Sequence, residues 1–195
     1  MDPTSAAVNQ EAPAEFKAEF TTTKGTFVLQ MHREWAPIGA DRFYSLVKNG
    51  FFDGQLFFRV VPNFVVQFGI PGEPTIAKVW ATHPKLNPKY HKDISLKDDP
   101  VKQKNKRGTI TYAQGKAPNS RSTQVFINLQ DNPSLDSAFA PFGEVVEGFE
   151  NVLSLFGEHG DRPLYQSGEL TQLGNAYLLE KFPGLDSIEK ARIVD

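Results

Sequence analysis

The stretch Phe57-Phe58-Arg59-Val60-Val61-Pro62-Asn63-Phe64-Val65-Val66-Gln67-Phe68-Gly69 decides how this chain is to be read. It sets one permanently charged guanidinium and one amide into a run that is otherwise apolar and aromatic. An ionised side chain is expensive to bury, so among Phe and Val it needs a partner or a task. The plain alternative is an Arg at a strand edge, with its stem packed and its head in water.

A second segment tips that balance. Gly108-Thr109-Ile110-Thr111-Tyr112-Ala113-Gln114 is followed by Pro118-Asn119-Ser120-Arg121-Ser122-Thr123-Gln124-Val125-Phe126-Ile127-Asn128. Two β-type runs flank a polar turn containing Pro and Asn. The second run again sets an amide, Gln124, beside an aromatic, Phe126. Two strands that each offer an amide and an aromatic are expected to wall a pocket with an apolar base and a hydrogen-bonding rim.

In these segments the chain resembles the cyclophilin-type peptidyl-prolyl isomerases. The family signature Phe-x-Arg-x-x-Pro-x-Phe-x-x-Gln falls on Phe57, Arg59, Pro62, Phe64 and Gln67. Its Pro-Asn-Ser-x-Ser-x-Gln-x-Phe-Ile signature falls on residues 118–127. A third block, Leu135-Asp136 followed by Phe142-Gly143-Glu144-Val145-Val146-Glu147-Gly148, matches the family's Leu-Asp and Phe-Gly-x-Val-x-x-Gly pattern. The likeness runs from residue 20 to residue 157, in the family's order.

Composition agrees with one soluble domain. The chain has 195 residues, enough for one sizeable core, with 39% hydrophobic and 23% charged residues. A formal net charge of −2 offers no basic field to hold nucleic acid or an anionic membrane. Sixteen Phe against two Trp and five Tyr suit a barrel interior filled by apolar rings. The absence of Cys excludes thiol nucleophiles, disulfides and thiolate metal sites. No apolar run is long enough to form a membrane-spanning helix. Residues 1–14, polar and rich in Ala and Pro, read as a flexible leader without an apolar signal core. The compartment stays open between cytoplasm and export with a signal peptide outside this chain.

Along the chain, residues 15–32 alternate around Lys24-Gly25 and predict a β-hairpin. Pro37–Lys48 carries helical spacing that Asn49-Gly50 stops. Residues 51–69 supply two strands around Asp53-Gly54 and the Arg59 segment. Residues 71–106, rich in Pro and Lys with weak periodicity, read as a long surface loop, a length that often belongs to binding. Strands are expected at residues 108–113, 124–128 and 141–146, a helix at 147–156, and a helical pattern at 169–182 that Pro183 ends. Ile188–Val194 reads as a closing strand within a C-terminal extension over residues 165–195, so residues 15–195 make one domain. Strands outnumber helices without a βαβ rhythm, which predicts a mainly β, antiparallel, closed sheet. The resemblance sharpens this to a closed eight-stranded antiparallel β-barrel capped by two α-helices.

The chemistry is narrowed by what is missing. No phosphate-cradling glycine loop and no Gly-x-Ser-x-Gly elbow exist. His32, His83, His91 and His159 lack metal-site spacing, so neither metal nor cofactor is expected. Asp98-Asp99, beside Lys97 and Lys102, reads as a solvated charge run. Prolyl isomerisation needs neither nucleophile nor proton transfer. Its barrier of about 18–20 kcal/mol comes from lost amide resonance. The twisted nitrogen becomes pyramidal and gains a lone pair, so a donor aimed at it binds only as the transition state forms.

The resemblance implies that Arg59 is that donor and that Gln67 orients it or holds the substrate carbonyl. It further implies that Phe64, Phe126 and Leu135 hold the proline ring, with Gln124 on the same wall. Tyr112, Ala113 and Gln114 are then expected along the groove, offering main-chain groups to the residue before proline. Several positions depart from the family pattern. Val65 stands where many members carry Met, Ser134 where a Trp often precedes Leu-Asp, and Phe139 where a His is common. Ala113-Gln114-Gly115-Lys116 replaces the frequent Ala-Asn-Ala, and residues 71–106 take the place of a Gly-rich loop. The expected activity is therefore peptidyl-prolyl cis–trans isomerisation on proline-containing peptides and unfolded client chains, by a monomer with weak cyclosporin binding. The rival reading is a cyclophilin-like module that holds a proline peptide with little turnover.

Overall fold

The computed structural model describes residues 1–91 and 94–194; Lys92 and Asp93 of the 71–106 stretch, and Asp195, lie outside the described residues. The organising element is the predicted hairpin. Strands β1 (Glu15–Thr22) and β2 (Gly25–His32) pair without a slip from Glu15↔His32 to Thr22↔Gly25. Alternate residues of both strands are buried, so the period of two puts one face on the core. Six more strands extend the sheet: β3 (Arg59–Val61), β4 (Val65–Phe68), β5 (Thr109–Tyr112), β6 (Val125–Asn128), β7 (Pro141–Glu147) and β8 (Ile188–Val194). Their order is β3-β4-β6-β5-β7-β2-β1-β8, antiparallel throughout.

This sheet curls into a half-barrel; it does not close as expected. Its edges are β3 and β8, and the seam between them carries one isolated bridge, Leu56↔Ser187, among the described residues. Hydrogen bonds from Phe57 N to Asp186 O (3.0 Å) and from Ile188 N to Gln55 O (2.8 Å) flank it. The reason is that β3 has only three residues, and its outer edge is taken by Gly160 through a Val60↔Gly160 bridge. Strands β3 and β4 turn at Pro62-Asn63-Phe64, with Asn63 at φ 58°, rather than around Asp53-Gly54. Asn tolerates that left-handed backbone better than most side chains.

The interior is filled by phenylalanine. The Phe20 ring lies 5.2 Å from Phe27 and 5.8 Å from both Phe52 and Phe68, and Phe43 lies 5.2 Å from Phe142. Helix α1 (Pro37–Lys48) buries Ala40, Phe43, Leu46 and Val47 against this cluster, over the span its periodicity predicts. Pro37 opens it with a φ already suited to a helix. Its N-cap residue, Ala36, has no side chain to satisfy the free amides. Asp99 does so from a distance, accepting from Ile38 N (3.1 Å) and Gly39 N (2.9 Å) and from Arg121 Nη1 (3.0 Å). The side chain of Asp99 is 1% exposed, so of the Asp98-Asp99 pair only Asp98 is solvated as composition suggests.

The other helices are short, in place of a second capping helix. They are α2 (Pro74–Val79), α3 (Phe149–Leu153), α4 (Ser167–Leu173) and α5 (Asn175–Lys181). The helix expected over 147–156 shrinks to α3: β7 runs on to Glu147 and delays its start, and it ends at Leu153. The 169–182 pattern breaks into α4 and α5 at Gly174, whose φ of 80° no helix accommodates. The 71–106 stretch is not a loose surface loop. It contributes Trp80, Ile94 and Leu96 to the main core. Nor is the N-terminal leader free: Val8 is 0% exposed, and Gln10 N donates to Ser45 Oγ on α1 at 2.9 Å. Beneath α2, α4 and α5, a smaller apolar cluster gathers Leu56, Phe58, Ile70, Ala77, Leu170, Leu178 and Leu185.

Candidate active site

Strand register builds the site. Arg59 pairs with Gln67, Gln67 with Phe126, and Phe126 with Thr111. Directly opposed residues share a face, so these side chains form one row across four strands. Their neighbours Val60, Val66, Ile127 and Ile110 form the opposite row, all buried in the core. The outward row carries the polar chemistry. Arg59 Nη1 donates to Gln67 Oε1 at 3.1 Å, and Gln67 Nε2 donates to Gln124 Oε1 at 2.9 Å. Arg59 Nε donates to Asp161, and the Arg59 guanidinium carbon lies 5.4 Å from the Phe64 ring centre. The charge is thus held by a carboxylate, an amide and an aromatic face.

These residues open on a cavity of about 440 Å³. Arg59, Phe64, Val65, Gln67, Ala113, Gln114, Gln124, Phe126, Leu135 and Phe139 all line it. The rings of Phe126 and Phe139 meet edge to face at 5.5 Å and 68°, forming an apolar floor beside the polar rim. Gln114, on the cavity wall, donates from Nε2 to Ala138 O at 3.2 Å.

Two assigned residues are elsewhere. Tyr112 is fully buried in the core, its ring 5.1 Å from Phe142. The period of two explains this: Thr111 and Ala113 face outward, so the residue between them faces in. Burial pushes the Tyr112 hydroxyl pKa well above its ordinary value. Ser134 is exposed on the 3-10 turn Pro133–Leu135 and does not line the cavity. Conversely, Thr82, Leu164 and Ser167 complete the wall, and Asp161 holds Arg59, although none falls in a motif. Thr82 sits in the weakly periodic 71–106 stretch, and Asp161 in a Gly-bounded turn, where no local pattern marks a long-range partner.

Among the described residues, no group of three or more His, Cys, Asp or Glu gathers as metal ligands, and no helix is long and apolar enough to cross a membrane. The site offers a held cation in a cavity that has an apolar Phe126–Phe139 floor and polar walls. The chain matches the family described as cyclophilin type peptidyl-prolyl cis-trans isomerase/CLD over residues 17–170. It belongs to the cyclophilin-type peptidyl-prolyl isomerases.

Relatives agree. A peptidyl-prolyl cis-trans isomerase of Acinetobacter baylyi is 32% identical over 168 residues, covering 80% of this chain and 84% of the relative. Peptidyl-prolyl cis-trans isomerase A of Dickeya dadantii is 36% identical over 135 residues, covering 67% and 65%. A cyclophilin of Cryptosporidium parvum shares the fold with a TM-score of 0.66 at 18% identity, covering 93% of this chain and 98% of its own. That protein has also been crystallised in the presence of the dipeptide Ala-Pro. The cyclophilin described here is accordingly a peptidyl-prolyl cis–trans isomerase, with its slot walled by its own Thr82, Leu164 and Ser167.

Proposed function

We propose that Arg59 is the catalytic donor, aimed at the nitrogen of a substrate X–Pro bond as that nitrogen becomes pyramidal. The observation that carries this is the Arg59–Gln67–Gln124 hydrogen-bond chain at the rim of the apolar slot. Phe64, Phe126, Leu135 and Phe139 receive the pyrrolidine ring, which matches their apolar lining. Gln67 fixes the guanidinium plane, and Gln124 fixes Gln67. Ala113 and Gln114 run along the groove and offer main-chain groups to the residue before proline. Arg suits the task because it stays charged and presents a rigid fork of donors. The Ala-Pro dipeptide used with the Cryptosporidium parvum protein supports short X–Pro segments, within peptides and unfolded chains, as the ligand class. An exposed Ser134 in place of the family's frequent Trp supports weak cyclosporin binding.

A protease-coupled assay on an X–Pro peptide tests the assignment. Arg59→Ala is expected to lower kcat/KM by about 10²–10³-fold, the effect of deleting one transition-state donor, with an unchanged circular dichroism spectrum. Full activity in that variant removes Arg59 from the chemistry. Wild-type protein that binds the peptide yet accelerates nothing leaves only the holding role.

A further inference from the structure

The residues 157–161 form an accessory edge to β3. Val60 and Gly160 make an antiparallel bridge, and a Cβ on Gly157 would stand 3.0 Å from the Pro62 ring. An uncovered edge strand is open to foreign pairing, and this segment blocks it. It is itself pinned. The His159 ring lies 5.1 Å from Phe156 and 5.3 Å from Phe182, with Nε2 2.9 Å from Pro183 O. Leu164, just beyond, packs on the smaller apolar cluster. The backbone one residue past the bridge therefore has a set place, and it puts the Asp161 carboxylate on Arg59 Nε.

Arg59 is consequently gripped at two points, Nε by Asp161 and Nη1 by Gln67. Nη2 has no hydrogen-bond partner among the described residues. Two anchors define the plane of a planar fork, and a long side chain otherwise samples many rotamers. We infer that Asp161 is a positioning residue, holding the Arg59 guanidinium so that its unused donors face the substrate nitrogen before substrate arrives. This rests on Arg59 being the catalytic donor. Donors oriented in advance need no reorganisation during the reaction, and a misplacement of about 1 Å costs about 10²-fold.

The test uses the full chain with Asp161→Ala, Asp161→Asn and Asp161→Glu, and Arg59→Ala alongside. Exchange NMR on an X–Pro peptide gives turnover, titration gives peptide affinity, and the Arg59 Nε–Hε resonance reports the grip. Asp161→Ala is expected to lower kcat about tenfold or more, leave affinity within about twofold, and move the resonance. Asp161→Asn, nearly isosteric, falls between, and Asp161→Glu restores much of the turnover. Should Asp161→Ala destabilise the fold, Asp161→Asn carries the same comparison. Wild-type or raised turnover in Asp161→Ala and Asp161→Asn overturns the positioning role, as does a loss that lies wholly in affinity. If Arg59→Ala is inactive in either case, only the role of Asp161 falls; if Arg59→Ala is fully active, the donor assignment falls with it.

Discussion

Replacing Asp99 by Ala removes the group that joins three distant parts of the chain. Its carboxylate satisfies two amides at the start of α1 and pairs with Arg121, and the two side chains are 1% and 3% exposed. Arg121 keeps the Lys97 carbonyl and an Asp98 oxygen at 3.5 Å, but Asp98 is 40% exposed and its attraction is screened. Deleting one partner of a buried pair strands the other charge, which costs about 3–5 kcal/mol. The abandoned helix amides act in the same direction. For a domain of this size each kcal/mol moves Tm by about 2–4 °C, so a drop of about 6–20 °C is expected. Urea titration followed by circular dichroism and by Trp fluorescence gives the free energy, and coincident curves secure the two-state treatment. Asp99→Asn, which keeps an acceptor but no charge, should fall between. A loss below about 1 kcal/mol for Asp99→Ala would mean that water or Asp98 already compensates Arg121, and the argument from burial would be refuted.

Gly69→Ala should fail to fold or lose several kcal/mol of stability in thermal denaturation, because its Cβ would stand 2.3 Å from the Thr123 carbonyl oxygen at a φ of +113°. Tyr112→Phe removes a buried hydroxyl that has no hydrogen-bond partner among the described residues, and should raise stability by about 1 kcal/mol in urea titration. Burial also holds that phenol neutral with a raised pKa. Its titration leaves stability unchanged below the ordinary tyrosine value of about 10 and lowers it as pH climbs above that value, because the unfolded phenol ionises first. Alkaline titration should show this decline in wild type and a flatter curve in Tyr112→Phe.

The parts legible before the fold was known are those written in local pattern. Alternation at residues 15–32 sufficed for the β1–β2 hairpin, and helical spacing with Asn49-Gly50 bounded α1. Arg59, Gln67, Gln124 and Phe126 stand out as polar or aromatic intrusions in apolar runs; the register sets Arg59, Gln67 and Phe126 in one row, and Gln124 joins through its hydrogen bond to Gln67. The side chain of Tyr112 turns into the core, an orientation that the alternation of its own strand already holds. The packing of Trp80, Ile94 and Leu96 from the 71–106 stretch had no such signal, since their apolar partners lie far away in sequence.

The order of residues, through side-chain period and turn chemistry, determined by itself the β1–β2 hairpin, the long helix and the amides and rings grouped near Arg59. Three-dimensional packing alone decided that the sheet stays open, that Asp99 caps a helix sixty residues away, and that Asp161 grips Arg59. Periodicity is a property of neighbours along the chain and survives in any window of it. A charge or a short edge strand acquires its meaning from whichever distant segment the collapsed core brings against it, and that choice is made by the packing of the whole chain.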